Sequence, residues 1–220
     1  MPKLLSLDKI LAKKYKVVEG LTPEFIASFG DIEDCFDMLV YGDSGNGKTN
    51  LVLELMAQLC TALGCGATYI SWEEGHGKSL RDALVRQNLM ERLGNVMEVS
   101  DGGSYDDVRK LLTKRKSKKV ILFDSVQASE FTVNEWAALK KEFVMGKRRK
   151  IFIYISWVDG KRPKGIAAES LRYYANIKVF VDRFMAFPAS RYGGGKTFVI
   201  WEDGAMKRYG KKLYNKLKNQ

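Results

Sequence analysis

The chain has 220 residues, 45% of them hydrophobic and 29% charged, which suits one well-packed globular core with at most short appendages. No apolar run is long enough to cross a bilayer, and Met1 to Tyr15 sets Lys3, Lys9, Lys13 and Lys14 among its leucines without a signal-type stretch, so a cytoplasmic protein with no membrane partner is expected. Cys35, Cys60 and Cys65 lack C-x-x-C spacing and His76 is the single histidine, which excludes a disulfide framework and a zinc site, while a net charge of +11 points to a polyanionic partner, nucleic acid foremost.

Residues 1–36 read as an amino-terminal extension, a candidate subunit-contact segment, ahead of a core over 37–205 and a basic tail over 206–220. Within the core, apolar runs at Met38–Tyr41, Ala67–Ser71, Val120–Asp124, Ile151–Ser156, Ile177–Val181 and Phe198–Trp201 alternate with stretches long enough for helical crossovers. Several runs are continuously apolar, as parallel strands covered on both faces must be. The predicted fold class is therefore α/β, with a mostly parallel central sheet and helices on both faces. The last two runs flank Gly193-Gly194-Gly195, which predicts a carboxy-terminal antiparallel hairpin there.

After the first strand comes Gly42-Asp43-Ser44-Gly45-Asn46-Gly47-Lys48-Thr49, followed by Asn50 and an apolar stripe of Leu51, Leu55, Leu59 and Leu63 that predicts a helix ending near Gly64. A glycine-rich turn between strand and helix aims consecutive backbone N–H groups at a phosphate. Gly42, Asp43, Ser44, Gly45, Asn46, Gly47, Lys48, Thr49, Asn50 and, across the sheet, Asp124 are thus the candidate ATP-binding residues. Lys48 would bridge the β- and γ-phosphates and Thr49 would ligate Mg²⁺. The run Val120-Ile121-Leu122-Phe123-Asp124 ends in a carboxylate suited to hold the same magnesium through water.

The candidate GTP-reading string Asn215-Lys216-Leu217-Lys218 lacks the aspartate that would pair with guanine, and no arginine-rich lid suggests a small-molecule kinase. Basic residues gather at Arg109 to Lys119, Lys140 to Lys150, Lys161-Arg162-Pro163-Lys164 and Lys207 to Lys218. The first two precede strands and belong to the edge away from the nucleotide. Lys161, Arg162 and Lys164 follow a strand's carboxyl end among Gly160, Pro163 and Gly165, so a mobile cationic loop beside the γ-phosphate is the expected DNA contact.

The strand Tyr69-Ile70-Ser71-Trp72-Glu73-Glu74-Gly75, with Phe123-Asp124-Ser125-Val126-Gln127, Ile153 to Val158 and Ser190-Arg191-Tyr192-Gly193, resembles the RecA-like P-loop ATPases, above all their RadA/Sms and DnaB-type motor cores. The likeness spans roughly residues 38–204. It implies that Glu73 is the base that polarises the attacking water, with Glu74 the fallback, and that Arg191 reaches a nucleotide, often across a subunit boundary. It implies a homo-oligomer, ring (hexamer) or filament, that hydrolyses ATP on DNA in recombination or replication. Two residues depart from the pattern: Trp157 stands where related proteins carry a polar Gln or His, leaving part of that role to Ser156, and Ala189 replaces a lysine, leaving Arg191 with Lys196 for help. The Trp157 departure also fits a nucleotide-gated switch or assembly platform with slow turnover.

Overall fold

The computed structural model describes residues 4–220. Helices α1 (Leu7–Leu11) and α2 (Pro23–Phe29) precede β1 (Asp37–Tyr41), and α3 (Lys48–Leu63) leads to β2 (Ala67–Ser71). Next come α4 (Lys78–Arg86), α5 (Leu89–Leu93), β3 (Met97–Ser100), α6 (Tyr105–Thr113) and β4 (Val120–Asp124). Helix α7 (Val133–Leu139) runs on through a π-helical turn to β5 (Ile151–Ser156). The short strands β6 (Val158–Asp159) and β7 (Arg162–Pro163) pair only with each other. The chain then adds α8 (Ile166–Tyr174), β8 (Ile177–Asp182), β9 (Met185–Ser190), β10 (Phe198–Val199), α9 (Glu202–Tyr209) and α10 (Lys211–Lys218).

The main sheet has the order β10-β9-β8-β1-β5-β4-β2-β3. From β8 to β3 every pairing is parallel, and β8, β9 and β10 are joined antiparallel. This is the α/β architecture the sequence predicts. Alternation along the buried strands splits the core in two. Met38, Val40, Leu122, Ile153 and Ile155 face α2, α3, α4 and α5 in an aliphatic layer, while Leu39, Phe123, Phe152 and Tyr154 face α6, α7 and α8 in a layer rich in aromatic rings. Phe123 meets Phe152, Tyr154 and Trp136 at ring-centroid distances of 5.0, 5.4 and 5.1 Å.

The sheet ends in antiparallel strands as expected, with one strand more than the sequence predicts, β9. The antiparallel turn falls at Arg183-Phe184, where Asp182 pairs with Met185, and Gly193-Gly194-Gly195 lies in the longer connection from β9 to β10. Both central turn residues have positive φ, 46° and 65°, a conformation two-residue hairpins need but usually assign to Asn and Gly. Tertiary contacts offset the strain: Phe184 packs on Trp201 at 5.0 Å, its N–H donates to the Asn46 carbonyl and its own carbonyl accepts from Ile200 N–H.

Neither flank is a loose appendage throughout. Phe25, Phe29, Ile32 and Phe36 are fully buried in the aliphatic layer, so the extension expected over 1–36 enters the core from Val18 onward, whereas Leu4, Leu7 and Leu11 stay exposed. The expected basic tail over 206–220 is helical, and Tyr214 is buried against Met185 and Ala205. Among the described residues no helix is long and apolar enough to cross a membrane.

Candidate active site

The phosphate loop leaves the carboxyl end of β1, and its path is set by contacts that exclude larger residues. A Cβ on Gly42 would sit 2.1 Å from the Val181 carbonyl oxygen, and one on Gly47, whose φ is 98°, would sit 3.0 Å from the Phe184 ring. Gly47 caps α3, so the helix amino terminus, with Lys48 and Thr49 in its first turn, points into a cleft of about 470 Å³. Gly42, Asp43, Ser44, Gly45, Gly47, Lys48, Thr49, Asn50, Glu73, Glu74, Asp124, Trp157 and Phe184 are among its walls.

Asn46 is the one residue of 42–50 that does not line the cleft. Its side chain turns inward, accepting from the Arg208 guanidinium at 2.9 Å and donating to Asp182 at 3.4 Å. The Asn46 side chain thus braces the loop from behind. Arg208 also lies over the Phe184 ring at 4.8 Å, so α9 and the β8–β9 turn hold the loop from behind.

The sheet order brings the remaining groups together. Strand β5 lies between β1 and β4, and β2 flanks β4, so the carboxyl ends of β1, β4 and β2 place the loop, Asp124 and Glu73 around one cleft. The Lys48 ammonium donates to the carbonyls of Gly42 at 2.7 Å and Asp43 at 2.9 Å. Burial lowers its pKa, and Asp124, Glu73 and Asp43 oppose that fall. Asp124 is buried and accepts from the Tyr69 hydroxyl. Burial pushes its carboxyl up to about 6, with Glu73 and Glu74 adding to the rise and Tyr69 and Lys48 opposing it.

The paired glutamates are not equivalent. Glu74 accepts from the Ser79 hydroxyl at 2.9 Å at the start of α4, and its N–H donates to Ser71 Oγ. Glu73 instead accepts from the indole N–H of Trp157 at 3.0 Å. Gln127 braces this corner: its amide donates to Ser156 Oγ at 2.9 Å and to the Lys164 carbonyl at 2.6 Å, and its oxygen accepts from Trp157 N–H at 3.1 Å. The sequence offered the Tyr-strand and the Asp-Ser-Val-Gln run, but no local spacing links Trp157 to Glu73.

The segment with Lys161, Arg162 and Lys164, expected to be a mobile loop, is the tight β6–β7 hairpin and its exit, with Lys161 and Arg162 exposed. Lys164 N–H donates to the Trp157 carbonyl, and its ammonium lies 5.9 Å from the Trp157 ring centre. Arg191 is absent from the cleft. Strand β9 runs back past β8, pairing Ser190 with Ile177, so Arg191 emerges at the sheet edge opposite the loop, where its N–H donates to the Asn176 carbonyl. Within one chain the predicted arginine contact to the nucleotide cannot form.

The other basic clusters are engaged in part. Arg149 and Lys119 pair with Asp34, Lys140 with Asp37 at 2.7 Å, Arg109 with Glu142 at 2.9 Å and Lys118 with Glu98 at 3.1 Å. Lys150 is buried, donates to Ser117 Oγ at 2.9 Å, and is depressed by that burial to about 8. These contacts tie part of that edge to the fold, while Lys114, Arg115, Lys116, Lys141 and Lys147 stay exposed.

A phosphate loop at β1, a carboxylate one strand removed at β4 and the sheet order above define the RecA-like P-loop fold. No protein-family model matches the chain, and no curated protein matches its sequence. Among solved structures, the chain is similar to the flagellar accessory protein FlaH from Methanocaldococcus jannaschii, with a TM-score of 0.58 and 15% identity over 84% of this chain and 95% of that one. It is also similar to a KaiC-like protein from the hyperthermophilic archaeon Pyrococcus horikoshii OT3, with a TM-score of 0.60 and 14% identity over 84% of this chain and 93% of that one. At such identities the likeness shows the shared fold.

Proposed function

We propose that this chain hydrolyses ATP with magnesium, that DNA held at the β6–β7 hairpin regulates the turnover, and that several copies assemble in a ring or filament to act in recombination or replication. The observation that carries the reading is the convergence of Lys48, Asp124 and Glu73 on one cleft whose wall, at Trp157, leads directly into the hairpin bearing Lys161 and Arg162.

Magnesium fits the donor set: Thr49 and, through water, Asp124 would hold it, and it would neutralise phosphate oxygens. Four carboxylates, Asp43, Glu73, Glu74 and Asp124, line the cleft with one ammonium, a surplus of negative charge that a divalent cation would offset.

Lys48 exchanges its carbonyl partners for phosphate oxygens, and the loop N–H groups cradle the rest. Glu73 takes the proton of the attacking water; Glu74 is tied to Ser79 and serves α4. Arg191, on the far edge, meets a nucleotide only across a boundary between copies, which supports assembly as part of the reaction.

The test is ATP turnover with and without single- and double-stranded DNA at two salt concentrations. Stimulation at low salt is expected; its absence overturns the DNA reading in favour of a nucleotide-gated assembly platform. Glu73→Gln should cut turnover by about 10²–10⁴-fold while ATP still binds, and retained turnover would remove Glu73 as the base.

A further inference from the structure

Trp157 is the residue at which the chain departs from its resemblance, and its surroundings give it a definite task. It follows β5 directly, is 37% exposed, and turns its indole N–H onto Glu73 Oε2 at 3.0 Å, 84 residues away in sequence. A carboxylate has two acceptor oxygens. With Oε2 engaged by the indole, rotation of the carboxylate is restrained and Oε1 is the oxygen without a hydrogen-bond donor among the described residues.

The main chain of Trp157 is held on both sides and its ring is covered on one face. Trp157 N–H donates to Gln127 Oε1, its carbonyl accepts from Lys164 N–H at 2.9 Å and from Ser156 Oγ at 2.8 Å, and the Lys164 ammonium lies over its ring. Gln127 closes the circuit by donating to the Lys164 carbonyl. The Lys164 contacts, together with the direct chain link from Trp157 into Val158, tie this residue to the base of the β6–β7 hairpin, while Gln127 and Ser156 anchor it to the ends of β4 and β5, so a displacement of the hairpin is passed to Trp157.

We infer that Trp157 is a positioning residue for Glu73, orienting its carboxylate and transmitting the position of the 158–163 hairpin to it. This rests on Glu73 being the base of the ATPase proposed above. A polyanion that engages Lys161 and Arg162 pulls on the hairpin and thereby resets the carboxylate, without touching the cleft.

Two measurements test the role. In kinetics, Trp157→Phe removes the donor but keeps a ring for Lys164; kcat should fall about 10- to 100-fold with the KM for ATP unchanged, and DNA should no longer alter it. Trp157→His, which keeps an N–H, should recover much of the loss, and adding Trp157→Phe to Glu73→Gln should cost nothing further. Independently of turnover, the protein's four tryptophans give four indole N–H signals in an ¹⁵N-labelled sample. The signal lost in Trp157→Phe should be the one that moves most in Glu73→Gln.

An indole signal indifferent to Glu73, an unchanged kcat in Trp157→Phe, or an additive loss in the double variant overturns the positioning role. Absence of turnover in the unaltered protein, with the indole still responding to Glu73, overturns the ATPase reading instead.

Discussion

The Tyr69 hydroxyl, two residues before the end of β2, donates to the Asp124 carboxylate at the end of the adjacent β4. The bond gives a buried carboxylate one partner in a place where burial and two neighbouring glutamates work against its charge. Its pKa is raised from 3.8 to about 6, so between those values the folded protein holds a proton that the unfolded chain releases. Stability therefore falls as pH rises through that window, and above it ionised Asp124 costs about 2–3 kcal/mol. Asp124→Asn should raise the melting temperature by about 5–10 °C at pH 7.5 and by much less at pH 4, in the nucleotide-free protein. A destabilised variant at pH 7.5, or a gain independent of pH, would contradict this account.

The exposed cations of the hairpin give a second expectation. Lys161→Ala with Arg162→Ala should weaken single-stranded DNA binding and lower the slope of log affinity against log salt by about 1.4, two phosphate contacts' worth. Lys164 is spared because its head group lies on Trp157. Lys211→Ala with Lys212→Ala in α10 should leave the slope close to that of the unaltered protein. Equal losses from both pairs would remove the hairpin as the specific contact.

Tyr214 separates a folded carboxy-terminal segment from a solubilising one. Its ring is buried against Met185 and Ala205 and its hydroxyl donates to Glu202 at 2.8 Å. Tyr214→Ala should cost about 3 kcal/mol in urea denaturation, and Tyr214→Phe about 1 kcal/mol. An unchanged midpoint for the alanine variant would mean that α10 is not part of the cooperative unit.

Arg191 gives a prediction about assembly. Arg191→Ala and Lys48→Ala proteins, each inactive alone, should regain part of their turnover when mixed, because a mixed boundary can join an intact loop to an intact arginine. Failure to regain any activity would argue that the arginine does not act between copies.

The loop, its helix and Asp124 were legible because each depends on local chemistry: glycines where the backbone turns, leucines every fourth residue, an apolar run ending in a carboxylate. Strand β9 escaped notice because Met185–Ser190 contains Pro188, which normally argues against a strand; here it lies where β9 has run past the two residues of β10 and its outer edge is open. The turn at Arg183-Phe184 carries none of the residues that usually announce it, since its strain is met by Trp201 and Asn46, distant in sequence. Lysine-rich α10 is short, and its apolar face rests on Leu213, Tyr214 and Leu217, with Tyr214 alone buried, so its charge masks the docked helix. The motif places Asn46 in the loop, but it gives no sign of the group that takes its side chain, Arg208, which lies 162 residues further on.

That distance has a bearing on how the protein comes into being. A chain still on the ribosome can form β1 and α3 early, yet the support behind its phosphate loop is incomplete until residue 208 has been made and α9 has settled against the sheet. On the proposed reading of the site, nucleotide capture would wait for the finished domain, and a product truncated before α9 should bind ATP more weakly than the full domain.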